Sequence, residues 1–398
     1  MTMGVAQIEK IVEENREEAI EFLAKAIQIP SETGNEWEIS QYFKKKFNEM
    51  ELDVQQIALD ERRPNLIATW NGAEGKTFIF NGHYDVFPPN DDLGLYGPWS
   101  GKIVDGYMYG RGTVDMKSGL CGAVMAVDFL KRYGYQLNGR IILSCDSDEE
   151  VGGKYGIEHI LSLDSDLLKA DFGLSLEPSR SHIMVSGSGG IFLKITYSGD
   201  SWYSGEARDE MHSIQKAILA IGTLEQLDKK LRAEKYYEPF KSSALLTITQ
   251  MEAGTMMNLT ASSCSFVLDR RLIPGETVAE AKAEICKALD ALKELYADMD
   301  YEMEVLTCMP PMDIAEDDPV VLAALEAHKE LYEKDDIIYR RLGGSDNHKI
   351  IEKYGCSIPI LGPGMDFDEC NTPNEKVLVQ DYLDAIKLYM AIVVKILG

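Results

Sequence analysis

Strand-like and helix-like segments alternate through residue 183 of this chain, and that rhythm leaves few folds open. "NLIATW" (65–70) and "TFIFNGHYDV" (77–86) read as strands from their β-branched and aromatic content. "MKSGLCGAVMAVDFLKRYG" (116–134) carries apolar residues at helical spacing, and "GRIILSCDSDEE" (139–150) and "ADFGLSLEP" (170–178) are strands again. The alternation predicts an α/β fold with a central mixed, largely parallel sheet flanked by helices. In such sheets ligands gather beyond the carboxyl ends of the strands. The acidic and imidazole residues fall at those ends: His83 after "TFIFNG", Glu149 and Glu150 after "IILSCDSD", Glu177 after "GLSL".

After residue 183 the style changes. "GSGGIFLKITYSGD" (187–200) alternates like a strand with one exposed face, and "SIQKAILAIGTLEQLDKKLRA" (213–233) is helical. Two strand-like runs (243–254, 262–273), a long helix (276–298) and a last strand (300–309) follow. This order predicts a smaller α/β sandwich inserted into the first domain. The expected division is 1–183 for the first segment of the larger domain, 184–305 for the insert and 306–398 for the returning segment. A length of 398 residues agrees with two cores rather than one.

The formal net charge of −26 makes phosphate backbones and anionic membranes poor partners. The seven cysteines are odd in number, scattered and without a CxxC pair, which fits reduced thiols rather than a disulfide framework. The first 29 residues lack a basic start with an apolar run and read as an acidic amphipathic helix, with Ile8, Ile11, Val12, Ala19, Phe22 and Leu23 at helical spacing. No segment has the length of uncharged apolar sequence that spans a bilayer. The expectation is a cytoplasmic protein without a targeting signal.

Taken singly, the polar motifs admit bland readings. His83 in "NGHYDVFP" (81–88) has Asp85 two residues on, as a metal-binding histidine with an orienting carboxylate would, or it is a buried histidine satisfied by its neighbours. Asp115 in "YGRGTVDMKSG" (109–119) enters a helix and equally suits an N-cap. The carboxylates of "CDSDEEVGG" (145–153) repel one another unless a cation or proton sits among them, although a solvated acidic turn is common in so acidic a chain. The glycine-rich "YGRGTVDMKSG" lacks both dinucleotide and P-loop spacing.

In order, "GHYDVFP", "YGRGTVDMKSG", "DEEVGG" and "EPS" resemble the zinc-exopeptidase and amidohydrolase family of acetylornithine deacetylase, succinyl-diaminopimelate desuccinylase, aminoacylase and glutamate carboxypeptidase. The likeness continues through "GTMMNLT" (254–260), "DRRLIPGET" (269–277), "GGSDNHK" (343–349) and "CNTPNE" (370–375) and so covers nearly the whole chain. The resemblance implies a catalytic domain interrupted by a lid domain that often mediates a homodimer. It implies that Asp115 bridges two metal ions, that His83 and Glu177 complete one shell, and that Glu150 belongs to the other. Glu149 would be the general base, with Asp85 orienting His83. Arg271 would hold a substrate carboxylate, and Asn258 would contact substrate. The activity implied is hydrolysis of an amide, in an N-acyl amino acid or dipeptide-like substrate, beside a carboxylate. The cofactor implied is one or two divalent ions, zinc first, with manganese or cobalt as alternatives.

Two positions depart from the family pattern. Asn371 stands where the second ion's histidine is expected, offering a weaker oxygen ligand in place of imidazole. Tyr203 stands where a lid histidine steadies the developing oxyanion, and a tyrosine can donate only as a neutral group. His348 and Cys370 are the stand-ins nearest in motif terms. These losses leave open a non-catalytic relative that binds a small molecule or a partner, in which Glu149→Gln would change nothing measurable.

Overall fold

The computed structural model describes residues 3–163, 165–206, 208–296, 298–333, 338–364 and 370–398. The chain divides into two compact units. One comprises Met1–Val185, Ile314–Tyr339 and Ser345–Gly398, and the other Ser186–Asp313 and Arg340–Gly344.

The first unit is built on a five-stranded sheet. In sheet order its strands are Asp53–Ile57, Asn65–Asn71, Asn138–Asp146, Ala73–His83 and Phe172–Ser175. Asn138–Asp146, Ala73–His83 and Phe172–Ser175 run parallel; Asn65–Asn71 pairs antiparallel with Asn138–Asp146, and the edge strand Asp53–Ile57 pairs antiparallel with Asn65–Asn71. The sheet is therefore mixed, with its parallel part where the polar residues end their strands. Ser357 and Ile360 add isolated bridges, parallel from Ser357 to Phe172 and from Ile360 to Ser175, and antiparallel from Ile360 to Met184.

The central strands carry continuous buried runs, such as Phe78–Ile79–Phe80 and Ile141–Ile142–Leu143, because both faces are covered. On one face Phe80 meets Tyr389 of helix Val379–Leu397, ring centroids 5.5 Å apart, beside helix Lys117–Arg132. On the other, Ile67, Ile79 and Ile142 pack with Ile157, Ile160, Ile350 and Ile358. Each such side chain contributes roughly 1.5–3 kcal/mol relative to exposure. The N-terminal amphipathic stretch forms two helices, Val5–Glu14 and Arg16–Gln28, rather than one. Asn15 interrupts it, its side-chain amide donating to Ile11 O at 2.7 Å, a local bond that competes with the helix ladder. All six apolar residues named above are buried.

Two glycines set how closely the site elements approach. A Cβ on Gly119, in the first turn of helix Lys117–Arg132, would lie 2.1 Å from Leu176 O, and one on Gly362 would lie 2.4 Å from Glu177 O. Only glycine lets these backbones pass so near the residue after strand Phe172–Ser175.

The second unit is a four-stranded antiparallel sheet in the order Leu245–Ala253, Ser263–Leu272, Gly189–Ser198, Tyr301–Met309. Ile191, Leu193, Ile195 and Tyr197 alternate inward and pack with Ala217, Leu224, Ile285 and Leu289 of helices Ser213–Glu234 and Val278–Leu295. Thr277 and Glu280 form a reciprocal cap on the second helix. The boundary expected at 305 falls inside strand Tyr301–Met309, whose ladder with Gly189–Ser198 runs to Met309, and this segment of the unit ends at Asp313. Among the described residues, no helix is long and apolar enough to cross a membrane.

Candidate metal centre

His83 is the last residue of strand Ala73–His83, and its parallel neighbour ends opposite it at Asp146. The imidazole is 1% exposed. Its Nδ1 lies 2.9 Å from the Asp85 carbonyl oxygen, and 3.5 Å from the Asp85 carboxylate. A carbonyl only accepts, so Nδ1–H donates there; when the ring is neutral, Nε2 presents a lone pair. Around Nε2 stand Asp115 Oδ1 at 3.2 Å, Glu177 Oε1 at 3.5 Å and Glu149 Oε2 at 3.8 Å.

Asp115 precedes helix Lys117–Arg132, and the peptide between it and Met116 is cis. Its amide donates to Glu375 Oε1 at 3.3 Å. Glu177 follows strand Phe172–Ser175, and its Oε1 accepts from Ser345 Oγ at 2.7 Å. Glu149 and Glu150 open a short 3-10 turn after strand Asn138–Asp146. The Asp85 carboxylate accepts from the Glu149 amide at 3.1 Å, from the Glu150 amide at 3.4 Å and from Thr33 Oγ1 at 2.9 Å. Asp85 thus ties the imidazole to the turn that carries both glutamates.

Among the described residues, two ligand sets lie within metal-binding reach: His83, Glu149 and Glu177, and His83, Asp115 and Glu150. His83 Nε2, Asp115 Oδ1 and Glu150 Oε1 are buried without a hydrogen-bond partner in the protein. Buried polar atoms are rarely left so, and three converging on one point fit a divalent cation. The electrostatics agree. Burial pushes Glu150 up to about 11, with the Asp115 carboxylate adding to it. Burial also raises Glu149 and Glu177. Burial disfavours the imidazolium of His83, yet Asp115, Asp85 and Glu177 outweigh it and raise that ring well above its ordinary value. So many carboxylates cannot all be charged here without positive charge among them.

Sequence reasoning missed several residues. Arg63, 8% exposed, pairs with Glu36 at 3.2 Å and with Asp148, the residue before Glu149. Asp148 sits at φ 72° and accepts from the Tyr155 amide at 2.8 Å, which closes the turn. Lys349 donates to Gly152 O at 2.7 Å and lies 3.3 Å from the buried Asp346. Only the "GGSDNHK" motif hinted at the last two. Arg63 and Glu36 carry no local signal, because their partners are distant in sequence; Asp148 lies in the acidic motif 145–153, but nothing local marks its pairing with Arg63.

The Asn371 side-chain oxygen accepts from Arg111 Nη1 at 3.2 Å. His348 is buried and Cys370 is buried, and neither joins the sets.

The remaining expected residues belong to the second unit. Tyr203 is exposed and bridges Leu259 in antiparallel fashion, and the Ser204 amide donates to Asn258 O at 3.0 Å, so Tyr203 and Asn258 share one corner. Arg271, on strand Ser263–Leu272, is exposed, donates from Nε to Asp269 at 3.0 Å and lies over the Phe192 ring. Its neighbour Arg270 points to the other face, fully buried on Glu276 and Glu284, as strand alternation requires.

A sequence profile of peptidase family M20/M25/M40 matches residues 79–395. Among curated proteins, N-formyl-4-amino-5-aminomethyl-2-methylpyrimidine deformylase of Bacillus subtilis is 24% identical, with 99% of this chain and 98% of that one aligned. Among solved structures, an M20 family metallo-carboxypeptidase from Sulfolobus solfataricus superposes with a TM-score of 0.77 at 20% identity, covering 95% of this chain and 99% of that one. A dinuclear metal binding peptidase of the M20 family from Bacillus subtilis gives 0.66 at 14% identity, covering 97% and 99%. Family profile, fold and clustered ligands agree: this chain belongs to peptidase family M20/M25/M40 and is a hydrolase of the metallopeptidase and amidohydrolase kind.

Proposed function

We propose that this protein hydrolyses an amide bond next to a carboxylate, in an N-acyl amino acid or dipeptide-like substrate, with divalent metal held by His83, Asp115, Glu150 and Glu177. The observation that carries this reading is the convergence of three buried, unpartnered ligand atoms, on His83, Asp115 and Glu150. The donor set of one imidazole and several carboxylates suits zinc, manganese or cobalt. A bound divalent ion lowers the pKa of its water and polarises the substrate carbonyl.

The chain's own side chains do the rest. Glu149 is the general base: it takes the proton of the attacking water and passes it to the leaving nitrogen. Its position supports the role, since its carboxylate faces His83 Nε2 at 3.8 Å while its amide is pinned by Asp85. Asp85 holds the His83 tautomer. Arg271 takes the substrate carboxylate through paired N–H groups, Asn258 contacts the substrate, and Tyr203 donates its hydroxyl to the developing oxyanion. A homodimer belongs to the same reading, and light scattering at micromolar concentration checks it.

The test is turnover by zinc-, manganese- or cobalt-loaded protein on a panel of N-acyl amino acids and dipeptides. An N-formyl amine joins the panel because of the deformylase relative. Hydrolysis that disappears in Glu149→Gln, with metal retained, is the expected result. No turnover on the whole panel by metal-loaded protein would sink the reading.

A further inference from the structure

Among the described residues, the two ligand sets contain a single imidazole, that of His83. His83 Nε2 belongs to both ligand sets, and one nitrogen lone pair serves one ion. The place where a second histidine is expected holds Asn371, and the structure shows what that side chain does instead. Its Oδ1 accepts from Arg111 Nη1 at 3.2 Å, and its backbone carbonyl accepts from Arg111 Nη2 at 3.2 Å.

A guanidinium offers only donors, so the amide must turn its oxygen to Arg111. That bond uses one lone pair of the oxygen, and the NH2 group has no lone pair to give a cation. Arg111 has little freedom to let go. It is 3% exposed, bonds Glu375 Oε2 at 2.8 Å and bonds Asn90 Oδ1 at 2.8 Å. Glu375 is held in turn, its Oε1 accepting from the amide of Val114 at 2.9 Å. Asn371 adopts φ 61°, a left-handed conformation that asparagine tolerates better than most residues. The permanent charge of Arg111 also repels a dication approaching the other lone pair of Oδ1.

We propose that Arg111 and Asn371 form a latch that removes the second-ion ligand, so that this enzyme holds one divalent ion tightly, among the carboxylates around His83. The inference rests on the metal-hydrolase reading above and departs from a paired-ion centre. A histidine at 371 would undo it, because Arg111 keeps Glu375 and Asn90 as partners while the imidazole offers a new nitrogen.

The experiment is elemental analysis of wild type, Asn371→His and Asn371→Ala after equilibration with zinc or manganese and desalting. Electron paramagnetic resonance of the manganese forms is read alongside. Wild type is expected to hold one ion per chain with an uncoupled manganese signal. Asn371→His is expected to hold two, with an exchange-coupled signal. Asn371→Ala should keep the wild-type ion at unchanged affinity, rather than show the ~10–100-fold loss that follows removal of a group supporting a metal. Two tightly held, coupled ions in wild type would overturn the inference and leave the hydrolase reading standing. A weakened ion in Asn371→Ala, or one ion in a folded Asn371→His, would overturn it as well. No ion in any form would overturn the hydrolase reading and this inference with it.

Discussion

Replacing Arg63 by methionine tests how the glutamate-bearing turn is held. Arg63 is 8% exposed, and its two carboxylate partners, Glu36 and Asp148, are 0% and 1% exposed. Methionine keeps much of the side-chain volume but strands both acids away from water. Removing one member of a buried ion pair costs about 3–5 kcal/mol. For a folding unit of this size that corresponds to a melting temperature lower by roughly 6–20 °C. The loss has a pH signature. Burial already raises Glu36, against the opposing pull of the Gly34 amide and Arg63. Without Arg63 its folded-state value rises further. A raised carboxyl stabilises the fold while protonated and loses that contribution as pH climbs through the folded-state value. The deficit of Arg63→Met is therefore largest at neutral pH and shrinks towards pH ~4.5. Calorimetry of metal-free protein near neutral pH and near pH ~5 measures it, and Glu36→Gln added to Arg63→Met should recover part of the loss. A cost under ~1 kcal/mol at neutral pH, or no recovery in the double variant, would refute the reasoning.

Glu149→Gln should lower kcat by about 10²–10⁴-fold with bound metal unchanged; elemental analysis beside steady-state kinetics decides it, since lost metal would make Glu149 a ligand instead. Asp146→Asn should flatten the stability–pH curve of the metal-free protein. Burial lifts the Asp146 carboxyl to about 7, so the folded state keeps a proton that the unfolded chain releases. The Asp146 contribution then falls as pH rises between about 4 and 7, by at most about 4 kcal/mol, and urea titrations across that range should show a steeper fall in wild type than in the variant. Gly119→Ala forces a methyl to 2.1 Å from Leu176 O and should cost about 1–3 kcal/mol or more by urea denaturation; an unchanged midpoint would show that the helix start can move. Chelating the metal should lower the melting temperature as well as stop turnover, by about 2.7 kcal/mol where free ion had been 100 times its dissociation constant.

The sequence by itself determined the alternation that makes the sheet, and it put His83, Glu149, Glu150 and Glu177 at strand ends and Asp115 at a helix start. Those signals are local: strand period, a helix entry and short motifs each lie within about ten residues of chain. It also located the helices and strands of the second unit, because a sheet with one covered face alternates visibly. The end of the unit's longer segment at Asp313 was less legible, since the ladder to Gly189–Ser198 is what assigns strand Tyr301–Met309 wholly to it. The tertiary structure decided the partners that meet across long stretches of chain. Arg63 reaches Asp148, Ser345 reaches Glu177, and Lys349 reaches Gly152, none with a pattern around it that marks the pairing. Asn371 shows the division most clearly. The sequence revealed that a histidine was absent, but a hydrogen bond's direction depends on what stands opposite, and only the fold brings the donors of Arg111 against that amide.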